Sequence, residues 1–116
     1  MARKLLYNGW KCKSERRCKY CPHPTGGAER HEVFGGNPNR QISIREGFQI
    51  DVCRKHHQEL QDNITDWAQA ENLRLRQHFE RQWIDKQMAD GLTEREAVRG
   101  WMALIGKNYL DDIMPE

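Results

Sequence analysis

The sequence predicts an α+β fold: a short hairpin followed by a helix in the first half, and two further helices in the second. Three observations predict it. Two pairs of metal-binding residue types, Cys18-x2-Cys21 and Cys53-x2-His56, stand about thirty residues apart. Between them lie two short β-type segments, "HEVF" and "FQIDV", separated by a Gly/Asn/Pro loop. After them, apolar residues recur at mostly helical spacing almost to the C-terminus.

Taken in order, residues 1–30 are basic, contain three cysteines and are rich in turn formers; "CPHPTGG" has no place in regular structure. "HEVF" starts the hairpin. After the loop "GGNPNR", the segment "SIREG" reads as one helical turn, with Ser43 as N-cap, Glu46 at the third position and Gly47 ending it. "FQIDV" returns as the second strand, and a helix is expected to begin near Cys53. Ile64, Trp67, Ala68, Leu75, Phe79, Trp83, Ile84 and Met88 mark the apolar stripe of a long helix, with core packing expected for the aromatic residues. Asp90-Gly91 breaks it. Thr93 and Glu96 form a capping box that opens a last helix carrying Ala97, Val98, Trp101, Met102, Leu104 and Ile105, which Gly106 can end. Tyr109 and Leu110, in the tail, are expected to dock on the core.

The chain has 116 residues, of which 37% are hydrophobic and 31% charged. That suits one domain with a lean core, which a metal or disulfides would help to stabilise. We divide it into a basic metal-binding core, residues 1–63, and a helical extension packed on it, residues 64–116. No apolar run approaches the roughly 20 residues of a membrane span, and no signal peptide is recognisable. A reducing cytoplasm is therefore the expected location, and there closely spaced cysteines bind metal more often than they form disulfides.

Net charge is +2, but residues 1–60 hold twelve Lys/Arg against six Asp/Glu, a net +6, and residues 61–116 a net −4. The stretch "MARKLLYNGWKCKSERRCK" carries seven basic residues and one acid. Such a front end suits contact with phosphate, although a solvated tail has the same composition.

Thiolate and imidazole at this spacing suit zinc in a closed, tetrahedral, structural site. Cys18, Cys21, Cys53 and His56 are the first choice of ligands. Cys12 in place of His56 gives an all-cysteine alternative, and His57 in place of His56 a third. His23 is a further candidate, though flanking prolines suit it better to a loop, and His78 reads as a surface residue. If His56 joins the zinc, its neighbour His57 looks elsewhere, because adjacent helical side chains point about 100° apart. His57 would then face the hairpin that carries His31. Together these two could serve a second, open metal site, the arrangement for metal-assisted hydrolysis.

These residues resemble a known family. "HEVFGGNPNRQISIREGFQIDVCRKHH", preceded by C-x2-C and followed by "LIGKNYL", is similar to the small phage and prophage HNH endonucleases of the ββα-metal superfamily. The match runs strongly over residues 18–60 and weakly over the tail. It implies a zinc-stabilised ββα-metal core and a metal-dependent nuclease cutting DNA in a bacterial cytoplasm. Carried over position by position, Cys18, Cys21, Cys53 and His56 match the structural zinc ligands, and His57 the helix histidine that holds the catalytic Mg²⁺ or Mn²⁺. Asn39 matches the central Asn, with Asn37 as its competitor, because the loop is one residue longer than usual. His31 matches the first residue of the usual His-His pair, a metal ligand.

The second residue of that pair, normally the base, is here Glu32, a carboxylate and so a weak base. The base role is open between His31 and Glu32. Arg16, Arg17, Lys19, Arg40, Arg45, Arg54 and Lys55 are the expected backbone contacts to DNA. The substitution at Glu32 equally suits a zinc-stabilised nucleic-acid-binding or adaptor module with a decayed active site. A third reading is a structural zinc domain that binds protein through its helical half.

Overall fold

A computed structural model describes residues 12–110. Three of the basic residues of the front stretch, and the residues after Leu110, lie outside the described residues. The fold is α+β: the described residues form one two-stranded antiparallel sheet and four α-helices. The chain divides into two compact units, Met1–Asn72 and Leu73–Glu116.

The first unit opens with a single 3₁₀ turn, Lys13–Glu15, and then the Cys18–Cys21 knuckle. Lys19 N donates to Asp51 O at 2.9 Å, which ties the knuckle to the edge of the second strand. Strand β1, Glu29–Glu32, pairs with β2, Gln49–Val52, with His31 opposite Ile50 and Glu32 opposite Gln49. Side chains alternate along a strand, and directly opposed residues share a face. Glu29, His31, Ile50 and Val52 therefore share one face, and Arg30, Glu32, Gln49 and Asp51 the other. Ile50 and Val52 are buried.

Between the strands lies α1, Asn39–Glu46, longer than the single turn expected at "SIREG". Ser43 is not its N-cap. It sits inside the helix, fully buried, and its Oγ donates to Phe34 O at 2.9 Å and accepts from Phe34 N at 3.1 Å. Bonding to the preceding loop removes the hydroxyl's reason to end the helix. Gly47, at φ 80°, does end it. Helix α2, Arg54–Asp62, starts where expected, with Cys53 as N-cap, and packs on both strands. It stops at Asn63, whose backbone is left-handed.

Helix α3, Asp66–Ala89, starts in the first unit, with Thr65 Oγ1 accepting from Ala68 N at 3.1 Å, and ends in the second. Three residues of the expected stripe, Ile64, Trp67 and Met88, are exposed, Ile64 most of all. Ile64 precedes the helix, in the turn after Asn63, and takes no part in its periodicity.

In the second unit, Asp90 and Gly91 form the turn and α4, Glu94–Leu104, follows. Its capping box is complete: Thr93 Oγ1 accepts from Glu96 N, and Glu96 Oε1 accepts from Thr93 N. Ile84, Ala97 and Val98 form its core, with Trp83, Met102 and Leu110 packed against them. Gly100 lets α4 approach the Trp83 ring closely: a Cβ there would lie 3.0 Å from it, and the ring would have to shift by a few tenths of an ångström. The tail docks as expected: Tyr109 N donates to the buried Glu80 at 2.7 Å, and Gln77 Nε2 donates to Tyr109 O at 2.9 Å. No helix among the described residues is long and apolar enough to cross a membrane.

Candidate metal centre and histidine pair

Cys53 and His56 are the N-cap and third residue of α2, which puts both side chains at the same helix end. The knuckle, pinned to β2, brings Cys18 and Cys21 to meet them. The ligand atoms of all four residues lie within 4.8 Å of one another, the only such cluster of three or more His, Cys, Asp or Glu among the described residues. His56 Nδ1 is 3.1 Å from Cys53 Sγ, 3.4 Å from Cys18 Sγ and 3.8 Å from Cys21 Sγ; Cys21 and Cys53 sulfurs are 3.8 Å apart. A zinc tetrahedron has ligand–ligand edges of roughly 3.5–3.8 Å, given its usual bond lengths. Both the donor set and its spacing fit a metal ion such as zinc.

Cys12 is exposed and outside the cluster, and all four cysteines are free thiols. His57 is also outside it. Of the three ligand sets the sequence left open, the geometry gathers Cys18, Cys21, Cys53 and His56. His23 lines a cleft of about 270 Å³ beside the thiols, together with Thr25, Glu29 and Arg54.

Crowding shapes the thiols' acidity. Burial works to raise Cys18, but hydrogen bonds from the backbone of Cys53 and Tyr20 outweigh it and bring the thiol down to about 6. Cys21 is pushed up to about 11, first by its side-chain hydrogen bond with Cys18 and then by burial. Thiolates this close need a cation before all can ionise. Beside them His56 packs against Tyr20 and Trp67, with ring centroids 5.4 and 5.7 Å away, and Tyr20 OH donates to Glu71 at 2.5 Å.

One residue further along α2, His57 faces the hairpin. Its ring centroid is 5.3 Å from that of His31, which is buried on β1. The structure thus brings His31 and His57 together. It does not bring Glu32 to them. Glu32 points from the other face of β1, where Oε1 pairs with Arg40 Nε at 3.1 Å and Oε2 accepts from Gln49 Nε2 at 3.2 Å. Instead, Glu29 reaches His57, its Oε1 2.7 Å from Nδ1. That hydrogen bond, more than the nearby Arg54 and Lys13 charges, holds the Glu29 carboxyl below its usual range.

Sequence reasoning missed Glu29. Its signal was the two-residue strand period, which puts it on the face of His31. Gln61, one turn beyond His57, was missed as well; its Nε2 lies 3.2 Å from His57 Nε2.

Asn39 is the first residue of α1. Among the expected phosphate contacts, Lys19, Arg54 and Lys55 are exposed. Arg16 is half-buried, Arg17 donates to Pro24 O at 3.1 Å, and Arg45 pairs with Glu46. Arg40 keeps 62% of its side chain exposed despite its bond to Glu32. No protein-family model matches this chain, and no curated protein or solved structure matches it either.

Proposed function

We propose that the protein is a metal-dependent endonuclease of the HNH type, which hydrolyses phosphodiester bonds in DNA and carries a structural zinc. The observation that supports this best is the meeting of His31 and His57, from β1 and α2, one residue away from the zinc ligand His56. In this reading the ββα-metal core is β1, β2 and α2. Zinc on Cys18, Cys21, Cys53 and His56 keeps hairpin and helix in register.

His57 would hold a divalent ion such as Mg²⁺ or Mn²⁺, which supplies charge stabilisation at the scissile phosphate. His31 has two available roles, second ligand or acceptor of the water's proton. Either role needs its ring beside that of His57; the two centroids lie 5.3 Å apart. Asn39 and Arg40 open α1 beside the hairpin, Asn39 to order the loop and Arg40 to contact phosphate. Lys19, Arg54 and Lys55 would position the backbone without reading sequence.

Zinc-loaded protein is expected to nick supercoiled plasmid only when Mg²⁺ or Mn²⁺ is added. His31→Ala and His57→Ala should lose nicking and keep their zinc. Absence of cleavage on duplex, single-stranded and branched DNA would overturn the reading.

The pairing of Glu32 with Arg40 and Gln49 favours a second reading, a zinc-stabilised nucleic-acid-binding or adaptor module. The position that usually supplies the base is committed to a structural contact. Retained DNA binding in a mobility shift, with no cleavage and no effect of His57→Ala, would establish it.

A further inference from the structure

We infer that Glu29 is a positioning residue that locks His57 in its Nδ1–H tautomer and leaves Nε2 as the atom offered to a divalent ion. The metal clause rests on the nuclease reading; the tautomer lock does not.

Glu29 and His31 stand two apart on β1 and so share the face that α2 covers. From that face Glu29 Oε1 comes within 2.7 Å of His57 Nδ1, the length of a charge-assisted hydrogen bond. An ionised carboxylate only accepts, so the shared proton resides on Nδ1. At the other end of the ring, Gln61 Nε2 lies 3.2 Å from His57 Nε2. With its amide nitrogen turned to the ring, as placed, Gln61 donates to a lone pair on His57 Nε2. The carboxylate on the strand sets the tautomer, and the amide on the helix, as oriented, matches it.

The two contacts differ in how easily they give way. His57 keeps 16% of its side chain exposed and Glu29 36%, so their bond is partly sheltered. Gln61 is an exposed side chain whose amide forms one neutral bond to Nε2. An arriving cation displaces it at small cost. A carboxylate behind a ligating imidazole fixes its orientation and raises its basicity, and losing such a partner typically lowers metal affinity by about 10–100-fold. Glu29 therefore acts through His57.

The test uses ¹⁵N-labelled, zinc-loaded full-length protein and long-range ¹H–¹⁵N correlation of the histidine rings. His57 should show a protonated Nδ1 and a bare Nε2. A doubly protonated ring, which would mean that Gln61 presents its oxygen, overturns the inference, as does a proton on Nε2 alone. In Glu29→Ala the ring should become a mixture of tautomers at unchanged zinc content. Glu29→Gln, which keeps an accepting oxygen, should preserve the wild-type tautomer. If Glu29→Ala does not fold, the wild-type spectrum and Glu29→Gln still decide. Mn²⁺ titration, followed by paramagnetic broadening of His57, should show affinity about 10–100-fold weaker in Glu29→Ala and not weaker in Gln61→Ala. An unchanged single tautomer and unchanged Mn²⁺ affinity in Glu29→Ala would refute the role. Should wild type show the expected tautomer but no Mn²⁺ broadening at His57, the metal clause and the nuclease reading fail together while the lock stands.

Discussion

His56 and His57 are consecutive residues of one helix, yet His56 Nδ1 lies 3.1 Å from a cysteine sulfur and His57 Nδ1 lies 2.7 Å from a carboxylate. The rotation of about 100° per residue separates them. One imidazole joins the Cys cluster while the other turns to the hairpin.

This separation predicts divided consequences. His56→Ala removes one of four donors from a closed site whose binding energy is also folding energy. It should lose zinc by elemental analysis and lower the melting temperature by about 10 °C or more, since about 1 kcal/mol corresponds to 4–8 °C in a domain of this size. His57→Ala should retain about one zinc per chain. The reverse pattern would reassign the fourth ligand to His57.

Zinc affinity should rise with pH, and the sign follows from the thiols. Without metal, Cys21 stays protonated up to about 11, whereas Cys18 loses its proton near 6. Binding must release the Cys21 proton throughout that interval, so falling pH favours the metal-free protein. Competition with a chelator at pH 6.5 and 7.5 should give at least about tenfold tighter binding at the higher pH. A pH-independent affinity would mean that Cys21 does not ligate as thiolate.

Where one short-range signal determined an element, the sequence could be read directly. Thr93 and Glu96 are three apart, and both cap bonds form. Cys53 and His56 are likewise three apart, and their side chains meet at the start of α2. Ser43 misled because two non-local bonds to Phe34 bury its hydroxyl, which no local pattern reports. Ile64 failed in a similar way: its spacing fits the stripe, but the left-handed Asn63 ends the preceding helix and leaves it outside. Glu29 reaches His57 from 28 residues away, so its role depended on knowing which face of β1 meets α2.

The capping box makes its own acid-range prediction. Hydrogen bonds from Thr93, chiefly through its backbone N–H, hold the Glu96 carboxyl below its usual range. A depressed carboxylate contributes stability above its unfolded pKa, and the contribution is lost as pH falls through the folded value. Glu96→Gln should therefore melt below wild type at neutral pH and converge with it in acid, once the wild-type carboxylate is protonated in the folded protein. Thr93→Ala should cost about 1 kcal/mol at neutral pH. If the gap between Glu96→Gln and wild type persists unchanged into acid, the carboxylate charge is not its source.

On the proposed reading, nucleic-acid binding driven by the +6 charge of residues 1–60 is expected, and it should weaken steeply with salt. Lys19, Arg54 and Lys55 are all exposed. Lys19 lies within the Cys18–Cys21 knuckle, while Arg54 and Lys55 open α2, so the Cys/His cluster brings all three to one region of the first unit. Each phosphate neutralised on duplex DNA contributes about −0.9 to the slope of log affinity against log salt. Changing the three together to Gln should flatten that slope by about 2–3 units and keep the zinc. Arg17→Gln is the contrasting variant, because its guanidinium also supports the loop through Pro24 O, so some of its effect should appear in the thermal melt. Mobility shifts between 50 and 200 mM salt measure the slope. A triple variant with wild-type slope would mean that these cations stay solvated, and a wild type that binds no DNA at the lower salt would remove nucleic acid as the partner.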